Sequence, residues 1–185
     1  MTPSRRVHIV GRKNSGKTTL VCDLVTELTR RGLRVATVKH THHHHELDTP
    51  GKDSHRHREA GAAAVGILSP QMTALFIPAI REPNGDGSSV AAVDREQRYS
   101  RFEAQFADCD VILVEGDLQT TAPRIEVWRI AVAEHPYAAE DRLISALISD
   151  DAATGVACDR ILRSDIQAIA NFVLTATVDL ASAEP

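Results

Sequence analysis

With 185 residues, 43% hydrophobic and 25% charged, the chain is apolar and long enough to bury one substantial core, which excludes a disordered or fibrous protein and predicts one globular domain over 1–185 with room for a small insertion. A formal net charge of -4 argues against nucleic acid as the main partner, because binding a phosphate backbone needs a basic surface, and 4% aromatic residues disfavour stacking platforms for single strands. Apolar runs no longer than a strand and a short polar start at Met1–Arg6 predict a soluble, cytoplasmic protein without a membrane span, and the scattered Cys22, Cys109 and Cys158 support neither a disulfide framework nor a cysteine zinc site.

The first predicted element is the apolar run Val7, Ile9 and Val10, read as a strand. Gly11, Arg12, Lys13, Asn14, Ser15, Gly16, Lys17 and Thr18 follow it directly and fit the phosphate-loop pattern G-x-x-x-x-G-K-[ST]. Gly11 and Gly16 allow backbone angles that wrap successive N–H groups, from Lys13, Asn14 and Ser15 through to Thr19, around a di- or triphosphate. Lys17 reaches the β and γ oxygens and the Thr18 hydroxyl ligates Mg²⁺, so these two are the candidate catalytic residues. Leu20, Val21, Leu24, Val25 and Leu28 then recur at helical spacing up to a C-capping Gly32, which places a helix N-terminus against the phosphates.

Arg34–Lys39 reads as a second buried strand. From His40 to Ala62 the hydrophobic period disappears, and a stretch of that length inside a compact domain predicts a functional loop, with a short helix near Arg56, Arg58, Glu59 and Ala60. Ala63–Leu68 and Met72–Ile77 read as strands around Ser69, Pro70 and Gln71, and the segment REPNGDGSS (81–89) as a hairpin tip or mobile loop. Asp94–Ala107 carries Tyr99, Phe102 and Phe106 on one helical face, expected to cover the sheet. Strands follow at Val111–Val114, Arg124–Ile130 and Leu143–Ile148. A last helix capped by Ser164 and Asp165 turns Ile166, Ile169, Phe172 and Val173 inward, and the tail (178–185) is expected to fray. Strands alternating with helices behind a phosphate loop predict a three-layer α/β fold of the P-loop NTPase kind, with a mostly parallel sheet and a small antiparallel addition.

In open α/β sheets ligands collect beyond the carboxyl ends of the strands. The residues expected there are the phosphate loop, Lys39 with His40, Glu115 with Asp117, and Asp150 with Asp151. Mg²⁺ takes oxygen ligands and keeps several waters, so Thr18 with one carboxylate, Glu115 or Asp48, would complete its protein share. The guanine-reading pattern N-K-x-D is absent, yet guanine's adjacent N1–H and amino donors suit one carboxylate, for which Asp150 or Asp151 is the candidate. Asp48, Thr49, Pro50 and Gly51 look like a D-x-x-G switch but lack the apolar strand that precedes one, so what is expected is a loop carrying Asp48, Lys52 and Asp53 near the phosphates. The run His42–His45, continued by His55 and His57, is either a divalent-metal site or an exposed loop that titrates near pH ~6.5.

Gly11–Thr19, then Lys39 and His40, then DTPGKDS (48–54) with Arg56, His57, Ala60, Gly61 and Ala62, and later Val114, Glu115, Gly116 and Pro123–Val127 form a series in which the chain resembles the MobB family of molybdopterin-guanine dinucleotide biosynthesis. Three departures stand out: His55 in place of an aromatic residue, Asp117 in place of a bulky apolar one, and an unusually dense histidine run. The resemblance implies a homodimer that binds GTP with Mg²⁺, hydrolyses it weakly, and assists the guanylyltransferase that attaches GMP to molybdopterin. No residue stands out as positioning the attacking water, which agrees with weak turnover. Two other readings remain open at this level: a metallochaperone GTPase that loads metal through the histidine loop, and a nucleotide-gated binding module without significant hydrolysis.

Overall fold

Strand β1 (Arg6–Val10) is buried at every residue, and the rest of the main sheet is laid out around it. The computed structural model describes residues 5–41, 46–78 and 92–178. The chain divides into two compact units, Met1–Thr41 with Val90–Pro185, and His42–Ser89.

In the first unit, β2 (Val35–Lys39), β5 (Val111–Glu115), β6 (Arg124–Val127), β7 (Ile144–Ile148) and β8 (Asp159–Ile161) join β1 in one six-stranded sheet of order β2-β5-β1-β6-β7-β8. Every pairing in it is parallel. Parallel strands are covered on both faces, which is why β5 opens with the continuous apolar run Val111–Val114 and why even Arg6 and His8 of β1 are buried. On one face Val7, Ile9, Leu113, Ile125 and Ile148 pack against Leu20, Leu24 and Leu28 of helix α1 (Lys17–Arg30) and against Ile169 and Val173 of α4 (Ile166–Val178). On the other, Ile112, Val114 and Ala36 pack against Tyr99 of α3 (Ala92–Gln105), while Val10, Trp128, Ile144 and Leu147 form a separate cluster.

The second unit holds α2 (Asp53–Glu59) and an antiparallel ribbon of β3 (Val65–Leu68) and β4 (Thr73–Phe76). Ser69 closes the ribbon's turn through N–H and hydroxyl bonds to the Met72 carbonyl, at 2.9 and 2.8 Å. The antiparallel addition is thus a two-stranded sheet of its own.

Several boundaries differ from the sequence expectation for local reasons. β6 stops at Val127 instead of Ile130, because Ile130 is 58% exposed and its N–H turns to Asp151 Oδ2. Leu143 stays outside β7, exposed, with its N–H on Asp141 Oδ1. Of the three aromatic residues placed on one face of α3, only Tyr99 enters the core; Phe102 is 46% exposed and stacks on Phe106 at the margin. Asp165 alone caps α4, through the Ala168 N–H, while Ser164 bonds to Asp150. Gly32, at φ 85°, takes the left-handed turn just past the end of α1, where Leu33 N–H reaches the Leu28 carbonyl. The short strand β8 was not anticipated. The expectations for His42–His45, for REPNGDGSS and for the tail after Val178 lie outside the described residues. Among the described residues, no helix is long and apolar enough to cross a membrane.

His8 sits fully buried in the middle of β1. Its Nδ1–H donates to the Gly116 carbonyl at 3.0 Å, and its buried Nε2 has no hydrogen-bond partner. Burial is the main reason its pKa falls from 6.5 to about 4, with the Gly116 carbonyl opposing. The unfolded chain therefore takes up a proton that the folded chain refuses. Stability from this group is complete above pH 6.5 and is lost as pH falls towards about 4, a total of about 3 kcal/mol. His8→Asn, which keeps a donor for Gly116 but cannot titrate, is expected to flatten this part of the pH profile. Urea denaturation of both proteins between pH 4 and 7 measures it.

Candidate functional site

The loop after β1 owes its shape to backbone angles that few side chains tolerate. Gly11 has φ 140°, and a Cβ there would lie 2.4 Å from the Val127 carbonyl oxygen and 2.8 Å from Ser15 Oγ. Asn14 at φ 65° and Gly16 at φ 103° complete the curl, which the Ser15 N–H ties to the Arg12 carbonyl at 3.2 Å. Gly16 is the N-cap of α1 and supplies no side-chain cap, so the first N–H groups of the helix are presented to the inside of the loop. Ser15 is buried and its Oγ has no hydrogen-bond partner.

Lys17 reaches back across the loop, with Nζ donating to the carbonyls of Gly11 at 2.9 Å and Arg12 at 2.7 Å. Burial lowers its pKa, the nearby Glu115 carboxylate opposes that, and Lys39 adds to it. Lys17 nonetheless remains the charge that this end of the helix offers to an anion. The Thr18 hydroxyl donates to Glu115 Oε1 at 2.8 Å, and Lys39 Nζ lies 3.7 Å from the same oxygen. Glu115 arrives there because β5 pairs with β1 in the register Ile9↔Glu115, which brings the end of β5 beside the start of the loop.

Gly11 through Thr19 and Glu115 therefore assemble as one group, with Lys13, Asn14, Thr18 and Thr19 exposed to a ligand. Asp48 belongs to the second unit. There it organises its own turn: Oδ1 accepts from Thr49 N–H at 2.8 Å and Ser54 hydroxyl at 2.9 Å, and Oδ2 is buried without a partner. Glu46 receives the Asp48 N–H and the Arg58 guanidinium, and Arg58 chiefly holds its carboxyl below the usual range. Lys52 and Asp53 begin α2. Asp150, exposed at the end of β7, accepts from Ser164 N–H and Oγ, both at 3.1 Å, whereas Asp151 caps Ile130.

Behind the site, sequence reasoning named His40 and Asp117 but missed the polar roles of Tyr99 and Glu126. Tyr99 on α3 bridges His40 and Asp117, with its oxygen 2.8 Å from His40 Nδ1 and 2.9 Å from Asp117 Oδ2. Glu126, buried in β6, accepts the N–H groups of Tyr137 and Ala138 and so fixes a short 3-10 turn whose Tyr137 ring lies 4.7 Å from the Arg12 guanidinium. The signal for Glu126 was a charged residue inside a strand with buried neighbours on both sides.

The Thr18 hydroxyl beside the Glu115 carboxylate, both hard oxygen donors at a helix N-terminus, fits Mg²⁺, which takes few protein ligands and completes its shell with phosphate oxygens and water. Among the described residues there is no group of three His, Cys, Asp or Glu that could hold a metal by protein ligands alone.

A parallel sheet with helices on both faces, a glycine loop at the end of its central strand and an uncapped helix N-terminus behind that loop define a P-loop NTPase fold. The family model described as "Molybdopterin guanine dinucleotide synthesis protein B" matches residues 6–150. The "Molybdopterin-guanine dinucleotide biosynthesis adapter protein" of Escherichia coli (strain K12) is 35% identical over 140 residues, 74% of this chain and 73% of that protein. The protein of the same name from Haemophilus influenzae (strain ATCC 51907 / DSM 11121 / KW20 / Rd) is 33% identical over 65% of this chain and 61% of its own length. The crystal structure of a MobB homologue from Bacillus stearothermophilus aligns with a TM-score of 0.60 at 25% identity, covering 93% of this chain and 99% of that one. The chain belongs to the MobB family, with that family's adapter role in molybdopterin guanine dinucleotide biosynthesis.

The close approach at Gly11 yields a direct test. Gly11→Ala sets a Cβ against the Val127 carbonyl in a left-handed conformation, and is expected to cost about 1–3 kcal/mol in backbone strain alone. A lowered urea midpoint with unchanged slope is the expected result.

Proposed function

We propose that this chain binds GTP with Mg²⁺ at the loop formed by Gly11, Lys13, Asn14, Ser15, Gly16, Lys17, Thr18 and Thr19, hydrolyses it slowly, and in that state serves the guanylyltransferase that attaches GMP to molybdopterin. The observation that carries the reading is the Lys17 ammonium spanning the loop directly above a Thr18–Glu115 pair. Lys17 exchanges the carbonyls of Gly11 and Arg12 for the β and γ oxygens, a trade of neutral acceptors for charged ones. The N–H groups of the loop and of the first turn of α1 hold the remaining phosphate oxygens. Thr18 and Glu115 are the Mg²⁺ ligands. Bound there, the metal offsets the charge of the triphosphate. Asp150, the exposed carboxylate at the end of β7, is the proposed reader of guanine's N1–H and amino group. Turnover is slow because positioning and charge stabilisation act without a dedicated group to orient the water.

The adapter acts as a homodimer in the cytoplasm, with the guanylyltransferase and molybdopterin, or the molybdenum cofactor built on it, as its partners. The guanylyl transfer itself belongs to the partner enzyme.

Removing the Lys17 charge tests the nucleotide site. Lys17→Ala is expected to weaken GTP binding in calorimetry by about 100-fold, the upper range for a charge-assisted hydrogen bond. Unchanged affinity would sink the proposal.

The adapter role calls for reconstitution with a guanylyltransferase and molybdopterin, following dinucleotide formation. Stimulation by the wild-type chain and little by Lys17→Ala is expected. No stimulation and no complex would remove the cofactor-assembly reading.

A further inference from the structure

Glu115 can meet Thr18 only if the end of β5 is held in one place. The main chain supplies two bonds there, Gly116 N–H to the Ile9 carbonyl and His40 N–H to the Glu115 carbonyl, each 2.9 Å. The next two residues both take left-handed angles, Gly116 at φ 99° and Asp117 at φ 64°. For Gly116 that is easy. For Asp117 it is a strained conformation that side-chain contacts must maintain.

Those contacts converge on one hydroxyl. Asp117 is buried; its Oδ1 accepts the Gln119 N–H at 3.0 Å and its Oδ2 accepts the Tyr99 hydroxyl at 2.9 Å. Since that hydroxyl spends its proton on Asp117, its oxygen accepts from His40, whose ring nitrogen Nδ1 is 2.8 Å away and must carry the proton. Burial first, and then the Asp117 carboxylate, push the Tyr99 pKa far above its usual range, so it stays a donor at any working pH. The ring is itself fixed: His8 meets it edge-on at 5.0 Å, and the Arg6 guanidinium lies 4.3 Å from its centre. Arg6 is held in turn by Glu96 and Glu103 of α3, at 2.5 and 3.3 Å.

We propose that Tyr99 is a positioning residue of the phosphate site: its hydroxyl locks the turn after Glu115 to His40 at the end of β2, so that the Mg²⁺ carboxylate and the end of β2 move together. The inference rests on the Mg²⁺–GTP reading above and adds to it a link from the metal ligand to His40 at the end of β2. The link needs no contact from the nucleotide to His40, because Glu115 and His40 already share a main-chain bond.

Tyr99→Phe deletes the hydroxyl and keeps the packed ring. In calorimetry of the full chain, the readout is the ratio of GTP dissociation constants without and with Mg²⁺. A merely structural hydroxyl would shift both constants alike and leave the ratio untouched. The ratio is expected to fall about 10-fold in Tyr99→Phe, the scale of one charge-assisted hydrogen bond. In ¹⁵N spectra, the wild-type His40 ring is expected as the Nδ1–H tautomer and to shift when Mg²⁺–GTP is added, with both features lost in Tyr99→Phe. An unchanged ratio, or a His40 ring that ignores Mg²⁺–GTP in the wild-type chain, overturns the proposal. Equal GTP binding by the wild type and Lys17→Ala is a separate outcome: it removes the nucleotide reading, and the positioning role falls with it.

Discussion

The parallel pairing of β1 with β5 is the constraint on which the rest of the site depends. The phosphate loop can curl only where β1 ends, and Glu115 can reach it only where β5 ends, so a shift of register by one residue would turn the carboxylate to the other face of the sheet. The register is fixed by burial on both faces: Val7 and Ile9 point to the α1 and α4 side, His8 and Val10 to the other, and none is more than 1% exposed. Exchanging those faces would place His8 among Leu24, Leu28 and Val173, where no acceptor replaces the Gly116 carbonyl. Packing thus selects the geometry in which a hydroxyl and a carboxylate meet at the foot of α1.

What was legible in the sequence follows the range of the forces involved. The phosphate loop could be read residue by residue, because each of its positions answers a local demand: positive φ at Gly11 and Gly16, an ammonium at Lys17, a hydroxyl at Thr18. Most strands were also legible from their apolar residues, such as Val111–Val114 of β5 and Val7, Ile9 and Val10 of β1. β8 was not, because a three-residue edge strand with two exposed side chains carries no period to detect. The order of the strands was equally silent, for it is decided by crossovers and not by composition. Asp151 shows another limit. A carboxylate at a strand end that caps the N–H of a neighbouring loop has the same sequence signature as one that reads a base.

The cluster behind the site was the least legible part, and the reason is sequence distance. Tyr99 is 18 residues from Asp117 and 59 from His40, and nothing in the helical period of α3 says which partner its hydroxyl meets. His40 and Asp117 gave the hints, both by standing at the ends of strands and Asp117 also by replacing an apolar residue of the family pattern. In the fold the departure has a physical setting. The carboxylate is surrounded by the Gln119 N–H, the Tyr99 hydroxyl, His40 and the Arg95 guanidinium, and although burial pushes its pKa up, these groups together hold it below the usual range. A buried charge with that many partners is compensated.

Compensation explains how the charge is tolerated; what it contributes is uniqueness. An apolar residue at 117 would leave the Tyr99 hydroxyl and the Gln119 N–H without their acceptor, and the dispersion contacts it made instead are nearly indifferent to a displacement of a few tenths of an ångström. Hydrogen bonds are not, because their strength falls steeply with angle and length. The Mg²⁺ site proposed above, for a small divalent ion with strict geometry, needs its carboxylate placed on that finer scale. The polar cluster of His8, Tyr99, His40 and Asp117 supplies directional restraints two residues from Glu115, where the apolar core can no longer supply them because the strand has already ended. The core decides which face of the sheet Glu115 leaves from, and the polar cluster decides where its oxygen stops.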